Sequence, residues 1–479
     1  MRSNFSKALN NDNFLSLSNN IGTAVFAFLS FVILARYLTQ DVLGEWVLYI
    51  AAGNFFEMLR FGLTRTAIIR FLSGAKGEER NKLIGTNWAL GLAATVILAL
   101  IIWLVFISFP ETIKDSGYLL FFVYYPILSF VNLPHNMAIS VMHADQKFGK
   151  ILLVRMLNVG AFLVFLAINA LFLKWELLAI VYVHLFINLF VSLICMINKW
   201  DGYQHIFKAD RKTNKMILNF GKYSTGTLIG ANLLKSSDQI LLGLSPFIGT
   251  AGVGLYAVPL KLTEILEIPL RSFAATAFPR ISKASIENNL TEVKRLFYSF
   301  SGALTFIILP IILVGFIFAE QFVYILGGED FIQTQNIFRI FCVYGLFIAI
   351  DKFTGITLDS INRPKMNFIK VIYMASANIL GDIFVIFYIG KFLFFLAITS
   401  FIASQYMPIF NIGLYIPDFT VIQILEMVAM VTISFTIIGI IVGVYYLNRD
   451  LKISLKYIFI YGWKFFITII KDIKSVFIV

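Results

Sequence analysis

Four charged residues fall on one short stretch of an otherwise apolar run at 251–279: Lys261, Glu264, Glu267 and Arg271. In a helix turning about 100° per residue they sit at about 0°, 300°, 240° and 280°, a stripe no wider than roughly 120°. The spacing permits two ion pairs, Lys261–Glu264 at i,i+3 and Glu267–Arg271 at i,i+4. An unpaired ionisable group at bilayer depth costs at least about 2.5 kcal/mol, so such groups are read first as function. Lysines and arginines on one stripe can hold a phosphorylated anion through charge-assisted hydrogen bonds. Carboxylates among them can serve as counter-charges, or take up H⁺ or Na⁺.

Three other runs carry related residues. The run at 43–60 has Asn54, Glu57 and Arg60. The run at 216–244 has Asn232, Lys235, Asp238 and Gln239, with Lys222 near its basic end. The first run, 14–36, has Asn19 and Asn20. Lys235, Lys261, Arg271, Arg60 and Lys222 are assigned to binding an anionic headgroup. Glu57, Glu264, Glu267 and Asp238 are the counter-charges or coupling sites, and Asn19, Asn20, Asn54 and Asn232 are the polar lining. Lys261 is expected in the outer half of the bilayer and Arg271 near the inner end. His135 and His184 stand alone and read as packed, hydrogen-bonded residues; Asp382, after Gly381, is an isolated acid. Cys195 and Cys342 lie in apolar runs and read as small buried residues, with no metal site or cofactor implied.

The elements that must position these residues follow from composition. The chain has 479 residues, of which 59% are hydrophobic and 14% charged; a soluble chain would have about a quarter charged. It is a membrane protein. Crossing the hydrocarbon core takes about 20 apolar residues. Runs of that size fall near 14–36, 43–60, 83–108, 118–142, 151–173, 175–198, 216–244, 251–279, 296–319, 331–350, 366–389, 391–415 and 419–447, with a further one at 453–479. The N-terminus is polar and lacks a cleavage site, so the first run is expected to remain as a helix.

Basic residues cluster in alternate loops: Arg60 to Lys82; Lys147, Lys150 and Arg155; Lys199 to Lys215; Arg280 to Arg295; and Lys352 to Lys365. The other loops through residue 391 carry only Arg36, Lys114, Lys174 and Lys391. This bias predicts a cytoplasmic N-terminus. It also accounts for the net charge of +12 without a nucleic-acid partner. After the thirteenth run, Arg449, Lys452 and Lys456 fall on the wrong side. Three readings remain open: the last segment is not a span, the count is off by one, or 450–479 lies along the surface as an amphipathic helix.

Shifting the chain by 210 positions lays Gly44 on Gly254, Trp46 on Tyr256, Glu57 on Glu267 and Arg70 on Arg280. The hydropathy divides in the same way. A six-helix lobe at 1–198 and a basic cytoplasmic linker at 199–215 precede a second six-helix lobe at 216–415, with additional helices over 416–479. Six is even, so the lobes form a parallel repeat, an arrangement that places a substrate site between halves. The fold class is an all-α polytopic membrane protein.

Several strings carry a family resemblance: ARYLTQDVLGEWVLY, FGLTRTAIIRFLS, SSDQILLG, GLYAVPLKLTEILEIPLRSFAATAFPRISKA and DSINRPKMNF. With them the chain resembles, over most of 14–415, the Wzx-type polysaccharide or O-antigen flippases of the MATE-like MOP superfamily. The resemblance implies a V-shaped pair of six-helix lobes and alternating access around a cationic cavity. The implied cargo is a polyprenyl-diphosphate-linked oligosaccharide, moved from the cytoplasmic to the periplasmic leaflet of a bacterial inner membrane. Other polysaccharide-assembly membrane proteins are possible partners, besides membrane lipid.

Three other classes compete. A MATE-like drug or cation antiporter would favour acids and aromatics in its cavity, whereas the candidates here include as many bases as acids. A membrane glycosyltransferase or glycan polymerase needs a long extramembrane segment, and the longest outward loop, near 320–330, is short. An ATP-driven pump needs a G-x-x-x-x-G-K-[ST] loop, which does not occur. The expectation is a transporter, not an enzyme.

Overall fold

The structure, a computed structural model, describes residues 12–62, 64–389 and 420–477. Inside its helices, the side chains at 12–20, 220–228, 231 and 469–477 fall outside that description. Among the described residues the regular structure is helical throughout. The first helices are α1 (Asp12–Tyr37), α2 (Gln40–Gly62), α3 (Arg65–Leu72), α4 (Gly77–Ser108), α5 (Pro110–Asp115), α6 (Leu119–Val131) and α7 (Leu133–Ala144). They are followed by α8 (Phe148–Leu173), α9 (Leu177–Ile197), α10 (Arg211–Gly243), α11 (Gly249–Ile286), α12 (Leu290–Ile317), α13 (Ala319–Gly327) and α14 (Gln335–Ser360). The chain closes with α15 (Pro364–Tyr388), α16 (Val421–Leu451) and α17 (Lys456–Phe477).

Local chemistry sets many of these boundaries. Helix α4 opens with Glu78 and Glu79 in its first turn, where carboxylates face the positive end of the helix dipole. The fourth expected run is two helices because the chain turns at Asn132 and restarts with Pro134, which has no N–H to satisfy in a first turn. Helix α16 starts on a reciprocal cap in which Thr420 accepts from the Gln423 N–H and Gln423 accepts from the Thr420 N–H. In its second half α4 leaves Ile97, Leu100, Ile101, Trp103 and Leu104 exposed, the surface of a helix facing lipid.

Eight of the described helices are long and apolar enough to cross a membrane; the chain is a multi-pass membrane protein. Helices α10 and α11 are long enough, but too polar along their length to stand among those eight. At about 1.5 Å per residue, the 38 residues of α11 extend well beyond the hydrocarbon core of about 30 Å. The expected run 391–415 lies outside the described residues.

The chain forms two compact units. The first comprises Met1–Asn232 with Gly249–Gly254, and the second Leu233–Ile248 with Leu255–Val479. The 199–215 segment, expected as a linker, packs on α4 in the first unit. Trp88 Nε1 donates to the Asp201 carbonyl at 2.8 Å, the Asp210 N–H donates to Thr86 Oγ1 at 3.4 Å, and Gly85 lies against the His205 carbonyl. The break between units therefore falls inside α10 and again inside α11. Gly44 and Gly254, paired by the repeat, meet in the first unit: Gly44 lies against the Thr250 carbonyl and Gly254 against that of Gln40. A Cβ at either position would collide with backbone.

In the second unit α17 packs along α12 instead of lying free on a surface. Gly302 and Gly462 bring the two backbones together, Tyr298 stacks on Tyr461 at 5.8 Å, and Phe306 meets Trp463 at 5.1 Å. Small residues allow such close approach of helices in lipid. Gly302→Leu should therefore lower stability by about 1–3 kcal/mol through overpacking. Gly74→Leu, at a position with no neighbour within 4 Å, should change it little. Thermal unfolding in detergent compares the two, and equal midpoints would show that α17 is not docked this way.

Candidate transport site

In the second unit both spacing-permitted pairs on α11 are made. Lys261 Nζ lies 2.9 Å from Glu264, and Arg271 pairs with Glu267. Glu267 is shared: Lys235, on α10, approaches its Oε1 to 3.8 Å. One carboxylate thus serves two cations whose side chains are 57% and 64% exposed, leaving net positive charge on an accessible edge. A phosphate could replace Glu267 as the acceptor for the same donors. Lys261 is more enclosed and commits its ammonium to Glu264.

Asp238 belongs to a separate and deeper constellation. Its Oδ2 accepts from Tyr256 Oη at 2.9 Å and from Thr432 Oγ1 at 3.5 Å. Its Oδ1 accepts from Asn378 Nδ2 at 2.9 Å and from Ser237 Oγ at 3.4 Å. Asn378 and Asp382 are four apart on α15 and so share a face. Asp382 is fully buried against the Asp238 carboxyl, and no amide, hydroxyl or cationic donor reaches either of its oxygens; Asn378 Oδ1 has no donor either. Two buried carboxylates side by side repel each other unless a proton or a cation lies between them. Their oxygens, with Asn378 Oδ1, are hard donors of the type that binds small cations. Nearby in the chain, Lys370 is buried with its ammonium on Asp351 at 2.7 Å and on Thr354 Oγ1 at 2.9 Å.

The first unit holds a third network. Arg60 is 1% exposed, and its guanidinium donates to Glu57 at 2.8 Å, Asn132 Oδ1 at 2.5 Å, Thr95 Oγ1 at 3.2 Å and the Ser129 carbonyl. Glu57 also accepts from Tyr125 Oη at 3.2 Å, Asn132 Nδ2 at 3.3 Å and Asn136 Nδ2 at 3.5 Å. These surroundings differ from those expected of a cation open to an incoming anion: Arg60 stands as the enclosed partner of Glu57. The core beneath, with Ile68, Leu72, Leu83, Trp88, Leu133 and Met137, fixes α3, α4 and α7 around it. His184 is packed, as its isolation suggests, among Trp46, Tyr49 and Phe162.

Of the remaining candidates, Asn54 is exposed and Asn232 half-buried. The side chains of Lys222, Asn19 and Asn20 lie outside the described residues. Sequence reasoning overlooked Tyr256, Asn378 and Thr432 as partners of Asp238, and it left Asp382 alone. The available signal was the N-x-x-x-D spacing of Asn378 and Asp382 on an apolar helix. Lys370 had none, because its partner Asp351 lies on another helix.

Comparison with known proteins agrees with this architecture. Residues 10–285 match the family model described as polysaccharide biosynthesis protein. A probable low-salt glycan biosynthesis flippase of Haloferax volcanii, Agl15, is 22% identical over 384 residues, 78% of this chain and 76% of its own length. Among solved structures, an inward-facing multidrug resistance MATE family transporter of the MOP superfamily is similar with TM-score 0.67. It is 15% identical, with 90% of this chain and 96% of that one covered. The lipid II flippase MurJ, in an inward closed conformation, is similar with TM-score 0.66 at 13% identity, covering 96% and 92%. At such identities the structures establish a shared MATE-like fold. With more than half its length matched by the family model, this multi-pass, all-helical chain belongs to the polysaccharide biosynthesis protein family.

Proposed function

We propose that this protein is a flippase. It carries a polyprenyl-diphosphate-linked oligosaccharide, an O-antigen, capsule or exopolysaccharide unit, from the cytoplasmic to the outer leaflet of a bacterial inner membrane by alternating access. Its N-terminus is cytoplasmic, and it forms and breaks no covalent bond. The family supports the glycan cargo, and two similar proteins, Agl15, a probable low-salt glycan biosynthesis flippase, and MurJ, a lipid II flippase, point the same way. The observation that carries the reading is Glu267 shared by two exposed cations, Lys235 and Arg271. When a diphosphate arrives, these cations exchange a shared carboxylate for a doubly charged ligand, so the anion meets donors already gathered. Lys261, released from Glu264, supplies a third. The carboxylate pair Asp238–Asp382 is the coupling site, binding H⁺ or Na⁺.

A MATE-like antiporter is the second reading, favoured by the buried acid pair and by the fold. It gives no use to the cations beside Glu267, which would repel a cationic drug.

The test is complementation of a bacterium lacking its own glycan flippase, with surface glycan as readout and membrane-inserted protein as control. Lys235→Ala with Arg271→Ala should reduce export at least about tenfold, since each charged hydrogen bond contributes about 1.5–3 kcal/mol. Undiminished export by the double variant, or by Lys261→Ala, would remove the basis for an anionic cargo at this stripe.

A further inference from the structure

We propose that a basic pocket on the first unit seats the phosphate-bearing headgroup of an anionic phospholipid. The pocket, about 180 Å³, forms where the start of α4, the α7–α8 turn and the segment after α9 meet; Arg80, Asp145, Lys147, Lys150, Lys199 and Trp200 line it. Four bases face one acid. Asp145 is taken by Arg80 at 2.8 Å and Lys147 at 2.7 Å. Among the described residues, Lys150 and Lys199 have no carboxylate at ion-pair distance. Lys150 instead rests 4.8 Å over the ring of Trp200, an arrangement that aims an ammonium without neutralising it. Histidine 205, also in the lining, adds no acid, and burial, Lys208 and Arg80 together hold its imidazole below the ordinary value.

The lysines are exposed, but the wall that carries them is fixed in place. The wall after α9 is pinned by the Trp88–Asp201 hydrogen bond, and Gly202, at φ +71°, presses on Ile84. Lys199 takes φ +55°, a left-handed conformation that L side chains rarely adopt, and there it turns the chain from α9 into the pocket wall. The same segment points to a lipid as the source of the phosphate. Ile197, Tyr203 and Phe207 beside the pocket are 78%, 41% and 98% exposed. Apolar and aromatic side chains flanking a basic pocket suit the membrane–water interface, where acyl chains begin and headgroup phosphates lie. A free phosphate would use the bases and leave these side chains in water.

The experiment uses the full chain in a neutral detergent and follows its thermal unfolding midpoint with added phosphatidylglycerol, phosphatidylcholine or inorganic phosphate. Phosphatidylglycerol should raise the midpoint by at least about 3 °C, the other two should not. Lys150→Ala with Lys199→Ala should lose most of the gain. Lys283→Ala with Lys365→Ala, which removes two exposed bases elsewhere, should keep it. Native mass spectrometry of the single Lys199→Ala chain, counting retained phosphatidylglycerol against the unaltered protein, gives the reading if the double variant does not fold. An undiminished gain or undiminished retention in the pocket variants overturns the proposal. So does an equal response to phosphatidylcholine. An equal response to inorganic phosphate would make it a site for free phosphate and overturn the lipid assignment.

Discussion

Asp382→Asn should leave the protein as stable as before, or more so, while export falls by about 100-fold, the upper range of coupling between linked sites. The two effects have opposite signs because the carboxylate is out of place in the resting fold. It is fully buried beside Asp238, and no amide, hydroxyl or cationic donor reaches it. An amide of the same shape removes one of two adjacent charges and can donate to Asp238. An unsatisfied buried polar group costs about 1–3 kcal/mol, more when charged, so the folded state gains or breaks even. A carboxylate pair that captures a cation has by contrast lost half its charge. Two assays check this: complementation for export, and unfolding midpoints in sodium against choline and at pH 6 against pH 8. The unaltered protein should respond to the cation, and Asp382→Asn should not. Full export by the variant would end the coupling assignment and leave the flippase reading intact.

Arg60→Ala should do the reverse, costing stability first. Breaking a buried ion pair by deleting one partner costs about 3–5 kcal/mol, because Glu57 would stay among Tyr125, Asn132 and Asn136 without its counter-charge. Membrane-inserted protein should fall sharply, and the double variant with Glu57→Ala should recover much of the loss. Arg60→Lys should recover little, since one ammonium cannot reach the acceptors that the planar guanidinium spans. Normal yield and midpoint for Arg60→Ala, with export alone lost, would instead make Arg60 the open anion-binding cation that the sequence suggested.

The helices were legible because about twenty apolar residues in a row have few other stable arrangements. The charge stripe on α11 was legible for a related reason: i,i+3 and i,i+4 partners share one helix, so Lys261–Glu264 and Glu267–Arg271 can be paired on paper. The third dimension was hidden. Lys235 and Glu267, Asp238 and Asn378, and Lys370 and Asp351 are pairs across helices, and nothing in a linear pattern says which faces meet. Arg60 shows the other limit. Its pair with Glu57 at i,i+3 could be written down, but its enclosure by Thr95, Ser129 and Asn132 depends on where α4 and the α6–α7 break fall. The docking of 199–215 was masked by composition, since a basic, polar stretch reads as solvent-exposed whether or not Trp88 and Gly85 hold it.

The placement of the break between units has a consequence for anyone dividing the protein. A cut in the 199–215 segment looks natural on hydropathy grounds, yet it would give one fragment the core and the other a piece needed to finish it. Ile217 sits fully buried among Leu83, Trp88 and Leu133, and Gly249–Gly254 belongs with the first unit as well. The second half of the chain thus lends two lengths of helix, 211–232 of α10 and Gly249–Gly254 of α11, to the unit that the first half builds. Two such fragments made separately would each expose an unfinished seam, and activity should return only when both are produced in the same membrane.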